Sequence, residues 1–195
     1  MTKPTSMTEL EAVNVLLTTI GEAPVNTLTG NQVTDVTIAQ QVLNEVSREV
    51  QSQGWKFNTE YDVRLTPNVS DEILVPADTA RIDSKTHDVV IRSGKLFDLN
   101  ERTFTFDSVL EVEIVYFQDF ADLPDVAKRY IATRAARIYA DRMINSNTIH
   151  QMIAKDEQKA LIDLKEYEGD IGDFTMMDSY SVARVLNRGH KRILV

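Results

Sequence analysis

The chain has 195 residues, 43% of them hydrophobic and 26% charged, a balance that suits a globular protein with a sizeable core. No apolar run reaches the ~18 residues needed to span a bilayer, and the N-terminal stretch MTKPTSMTELEAV lacks the apolar centre of a secretion signal. With no cysteine, disulfides, thiolate nucleophiles and Cys-ligated metal sites are excluded, and a net charge of −9 opposes nucleic-acid binding over most of the surface.

The first predicted helix covers residues 8–20. Thr8 and Glu11 have capping-box spacing, and Leu10, Val13, Leu16, Leu17 and Ile20 share a face. Gly21 and Pro24 end it. The second helix covers 35–53, with a stripe of Val36, Ala39, Val42, Leu43, Val46 and Val50, and Gly54 stands where a left-handed C-cap belongs.

From Trp55, the only tryptophan, the pattern changes to alternation: Trp55, Phe57, Tyr61, Val63 and Leu65, with Thr59 between. Nine of the fourteen aromatic residues fall between Trp55 and Phe120, which suits half-buried strands. Ser93-Gly94 predicts a hairpin turn, and Leu110, Val112, Ile114 and Tyr116 alternate along a further strand. Trp55, following the helix stop, is expected to lock the helices to the β-rich part, so Gly54, Trp55 and Phe57 form a structural corner.

Helical patterning resumes over 122–144, with Asp122 as cap and Pro124 in the first turn. Its cations scatter around the axis among Ala132, Ala135, Ala136 and Ala140, unlike a DNA-tracking helix, which gathers them on one side. Such a many-sided helix packs on several neighbours, and Arg134, Arg137, Ile138 and Tyr139 are expected to meet another copy of the chain, the alternative being burial wholly within one subunit. A fourth helix over 148–168 is expected to stop at Gly169. The fold class is therefore α+β: a four-helix bundle, discontinuous over 7–54 and 122–170, a β-rich insertion over 55–121, and a tail over 171–195.

Chemistry-bearing motifs are weak. His87, His150 and His190 share no metal-ligand spacing on one helix face, and no P-loop, GxGxxG or GxSxG occurs. EYEGDIGDFTMM from Glu166 has acids at calcium-loop positions one, three and five, but Ile171 replaces the required glycine and Met177 the final glutamate. No catalytic, cofactor-binding or metal residue is assigned, and no cofactor is expected.

The charge is unevenly distributed. No acid follows Asp178, whereas Arg184, Arg188, Lys191 and Arg192 lie in the last fifteen residues, flanked by Ile193 and Leu194. This short basic segment is set apart from the acidic body, and its readings are a strap ordered on a partner or a frayed terminus.

Three segments, ELEAVNVLLTTIGEAPVNTL (9–28), VQSQGWKFN (50–58) and DLPDVAKRYIATRAAR (122–137), resemble the tail tubular protein A family of short-tailed phages. The combination AVNxxLxxIGExPVxTL followed by QSxGWxFN is the specific part, and the likeness runs in order from about residue 8 to 170. The resemblance implies a non-enzymatic virion protein of the tail, assembled in the host cytoplasm. It implies a head-to-tail adaptor: a homo-oligomeric ring of about twelve copies between the portal protein and a nozzle of the tail tubular protein B type. Tail fibres would attach nearby, and DNA would pass through the channel without sequence-specific binding and without membrane contact. The tail residues Arg184, Arg188, Lys191, Arg192, Ile193 and Leu194 would then dock on the portal. The rival expectation is a carbohydrate-degrading hydrolase using a carboxylate pair, although thirty acids single out no pair.

Overall fold

A computed structural model describes residues 5–30 and 34–172. It is an α+β structure with helices α1 (Glu9–Thr19), α2 (Thr34–Gln51), α3 (Asp125–Met143) and α4 (Asn147–Gly172). Between α2 and α3 lie strands β1 (Thr59–Leu65), β2 (Thr79–Ser84), β3 (Val89–Arg92), β4 (Lys95–Asp98) and β5 (Leu110–Tyr116). The strands form two antiparallel sheets, ordered β1-β5-β2 and β3-β4.

The helical core follows the apolar stripes. In α1 the Thr8 hydroxyl accepts from the Glu11 amide while the Glu11 carboxylate accepts from the Thr8 amide, satisfying two orphan donors. Every member of the α2 stripe is buried. These side chains close on α3, whose Ala127, Ala132, Ala135 and Ala136 let neighbouring backbones approach, and on Ala160 and Leu164 of α4. Helix α3 is central, packing on α1, α2 and α4 together.

A second core lies in the β-rich part, where Ile73, Ile82, Val89, Leu96, Phe106, Leu110, Val112 and Ile114 cluster. The hairpin turns at Ser93-Gly94, whose φ values of 52° and 73° match the left-handed pair required by a two-residue loop.

Three expectations are corrected. Alternation does not run unbroken from Trp55, because residues Lys56–Asn58 form a 3-10 turn and the strand starts at Thr59. A bulge between Glu60 and Val63, with Asp62 at φ 55°, then reverses the facing, leaving Tyr61 58% exposed. Trp55 and Phe57 consequently pack on the helical core, whereas Val63 and Leu65 pack on the β core. Second, Asp122 does not cap α3: it ends a separate 3-10 turn, Phe120–Asp122, and Pro124 takes the N-cap position. Third, Gly169 does not stop α4. A glycine inside a helix costs only ~1 kcal/mol, and the Glu168 carboxylate, accepting from the Lys56 amide at 2.7 Å, anchors the helix beside it.

The two cores meet at a polar clasp. Gln51 is 2% exposed; its amide donates to the Ser47 hydroxyl and the Gln118 carbonyl, and its oxygen accepts from the Gln118 amide at 2.7 Å. Asn58, equally buried, donates to the carbonyls of Gln51 and Tyr116 and accepts from the Trp55 amide. The Gln118 side chain returns to the Phe57 carbonyl, and the Trp55 indole donates to the Val50 carbonyl at 2.8 Å. Both crossings between helices and strands are thereby sewn to α2.

Gly54 sits beside this clasp at φ +78°, and a Cβ there would lie 2.9 Å from Arg81 Nη2 and 3.1 Å from Val115 Cγ2. Gly54→Ala is expected to lower stability by more than ~1 kcal/mol, combining left-handed strain with that crowding. Asn58→Ala is expected to cost about 2–4 kcal/mol, because it strands buried carbonyls and an amide. Urea unfolding of both variants measures this; a loss below about 0.5 kcal/mol for Asn58→Ala would show that the clasp contributes little.

Candidate interaction surfaces of the helical core

The cations of α3 are committed within the subunit. Arg134 reaches Glu49 of α2 at 2.5 Å and Glu157 of α4 at 3.1 Å. Arg137 also binds Glu157 and lies 3.5 Å from Asp141, which pairs with His150 at 2.9 Å. Glu157, 9% exposed, therefore joins two guanidinium groups across the α3–α4 seam. Its hydrogen bond leads the effects that hold the Arg137 pKa above its ordinary value. For Arg134, burial opposes the charge, but the Glu49 hydrogen bond and neighbouring carboxylates outweigh it and the pKa moves up. Nearer the surface, Arg142 grips Glu45 bidentately at 2.8 and 2.9 Å, lowering the Glu45 pKa.

These contacts revise the expected subunit interface. Tyr139 is fully enclosed, with its hydroxyl donating to the Asp35 carbonyl at 3.2 Å. Ile138 packs against the helical core, and Arg134 and Arg137 face Glu49 and Glu157 rather than a free surface. The many-sidedness of α3 is satisfied by α1, α2 and α4 of its own chain. The residues expected to dock on the portal, Arg184, Arg188, Lys191, Arg192, Ile193 and Leu194, lie outside the described residues, as does His190. Glu166, Glu168 and Asp170 stand on continuous α4, where a helix sends alternate side chains to different faces.

The segment before α1 is pinned to the start of α3. The Ser6 hydroxyl donates to Asp125 at 2.6 Å and accepts from Lys128 Nζ at 2.7 Å, while the Met7 amide donates to the same Asp125 oxygen. Lys128 is 2% exposed and also donates to the Ala121 carbonyl, so its buried charge is solvated by oxygens.

A polar cleft of about 1210 Å3 opens between α2 and the chain returning from β5. Gln41, Asn44, Glu45 and Arg48 line one wall; Asp78, Phe117, Asp119, Phe120 and Asp122 line the other. The acids of the second wall carry no side-chain ion pair among the described residues. Sequence reasoning missed this cleft, because positions 41, 44, 45 and 48 have the spacing of any solvated helix face and their opposite wall lies about thirty residues away at Asp78 and some seventy away over 117–122. As for the hydrolase expectation, a general acid needs a raised pKa; Glu11, Glu45 and Asp125 are held below their ordinary values by their hydrogen bonds and do not suit that role.

The protein belongs to the tail tubular protein family, whose model matches residues 10–174, and is thus a structural component of a phage tail. Among its relatives is tail tubular protein A of Klebsiella phage KP34, 29% identical over 168 residues, covering 83% of this chain and 87% of that protein. No helix among the described residues is long and apolar enough to cross a membrane.

Glu157→Ala is expected to destabilise the protein by about 3 kcal/mol, the low end for removing one partner from a buried pair, with Glu157→Gln costing less; thermal melts would check the order. The N-terminal pin should respond to acid. The Ser6 hydroxyl first, and the Met7 amide second, lower the Asp125 pKa below its ordinary 3.8. Its stabilising contribution is therefore complete above the unfolded carboxylate range and lost as pH falls through the lowered folded value. Exchange of the Met7 amide should accelerate relative to the helix core below about pH 4, and Asp125→Asn should flatten that dependence.

Proposed function

We propose that the protein is a head-to-tail adaptor, forming a ring between the portal and the tail nozzle through which the genome leaves the head. The family match across residues 10–174 carries this reading. In this reading residues 7–54 and 122–170 act as a four-helix bundle, 55–121 as an inserted β-rich unit, and 171–195 as a docking tail. Gly54, Trp55 and Phe57 serve as the corner at which the inserted unit is fixed relative to the bundle. Tail fibres attach at the outer side of the ring, and about twelve copies close it.

Net charge supports the proposed passage of DNA. Lysine and arginine contacts to phosphate create affinity, and affinity along a channel means friction. A chain at −9, whose last fifteen residues hold four cations and no acid, leaves a body more acidic still. The channel wall is accordingly neutral or acidic, and the basic tail binds away from it, on the portal. Deleting residues 181–195 should abolish portal docking while leaving the melting temperature unchanged.

Native mass of the full chain, measured by light scattering alone and with the portal protein, tests the main reading. A ring-sized particle, free or on the portal, is expected. A monomer indifferent to the portal would overturn it.

A further inference from the structure

Resting on the ring reading, we infer that each copy receives the outer face of its neighbour's α4 in the polar cleft beside α2. A closed ring requires two different complementary faces on every subunit, and the interior role of α3 leaves these two faces uncovered.

The first face is a stripe on α4. At 100° per residue, Met152, Lys155, Lys159, Ile162 and Glu166 fall within about a quarter-turn, on the side opposite the buried Glu157, Ala160 and Leu164. Met152 and Ile162 are 66% and 49% exposed, and Lys155 and Lys159 have no ion pair among the described residues. Asp156 flanks the stripe; Asp163, also alongside, is paired to Arg129. From Met152 to Ile162 the stripe runs about 15 Å.

The second face is the cleft. Asp78, Asp119 and Asp122, uncommitted among the described residues, oppose the two lysines in charge, while half-buried Phe117 and Phe120 offer apolar surface for Met152 and Ile162. The cleft's one cation, Arg48, has a counterpart in Glu166, the acid among these five residues, which orients the helix. Helix α3 lies between α4 and the α1–α2 pair, so stripe and cleft stand on different sides of the subunit, as a head-to-tail contact needs. The occupant is a second copy of this chain, and each contact repeats around the ring.

Charge reversal tests the pairing. Light scattering of the full chain with its portal should show ring assembly reduced at least tenfold for Lys155→Glu/Lys159→Glu and for Asp119→Lys/Asp122→Lys. Combining all four changes in one chain should restore it. Circular dichroism and melting would confirm that each variant folds. Because the natural chain has no cysteine, Lys159→Cys combined with Asp119→Cys should give a ladder of disulfide-linked multimers under oxidation. Rings that form normally from either reversed variant, absence of rescue, or absence of the ladder would overturn this pairing and leave the ring reading standing. A natural chain that never assembles, even with portal, would overturn the ring reading itself and the pairing with it.

Discussion

Two buried amides, Gln51 and Asn58, hold the molecule in one arrangement. The chain leaves the helices once and returns once, and both crossings carry backbone groups at least partly withdrawn from water. Gln51 pairs with both backbone groups of Gln118, and Asn58 bridges the carbonyls of Gln51 and Tyr116. An unpaired buried polar group costs about 1–3 kcal/mol, so any shift of the strands relative to α2 would break several such bonds together. The clasp therefore converts two separately packed cores into a body with a defined orientation.

A fixed orientation matters to a structural component of a phage tail, whose role rests on the surfaces it presents. The interior supports this. Helix α3, which has the composition of an interface helix, is enclosed by its own chain, and Arg134 and Arg137 join α2, α3 and α4 through Glu49 and Glu157. Removing either partner would leave an uncompensated charge, which is costly in a site this far withdrawn from water. The outward surfaces of α2 and α4 are among the exposed helical faces.

Local signals carried much of the fold. The Thr8–Glu11 box, the six-residue stripe of α2 and the Ser93-Gly94 turn each concern residues within a few turns or positions of one another, and each is present. Failures arose where a distant contact overrode a local preference. Glu168 holds α4 through Gly169 by binding the turn at Lys56, and the bulge at Asp62 divides one apparent strand pattern between two cores.

Thus the sequence by itself determined the α+β class, the positions of the main helices, the acidic body and, through three ordered segments, the family. Those properties depend on periodicity, composition and short motifs, which are local or additive. Tertiary structure alone decided that α3 is internal, that Gln51 and Asn58 form the clasp, and that residues near 45 and 120 share a cleft. An apolar or cationic helix face reads the same whether its partner lies in its own chain or in the next. Only the packing of elements far apart in sequence shows which faces have been covered.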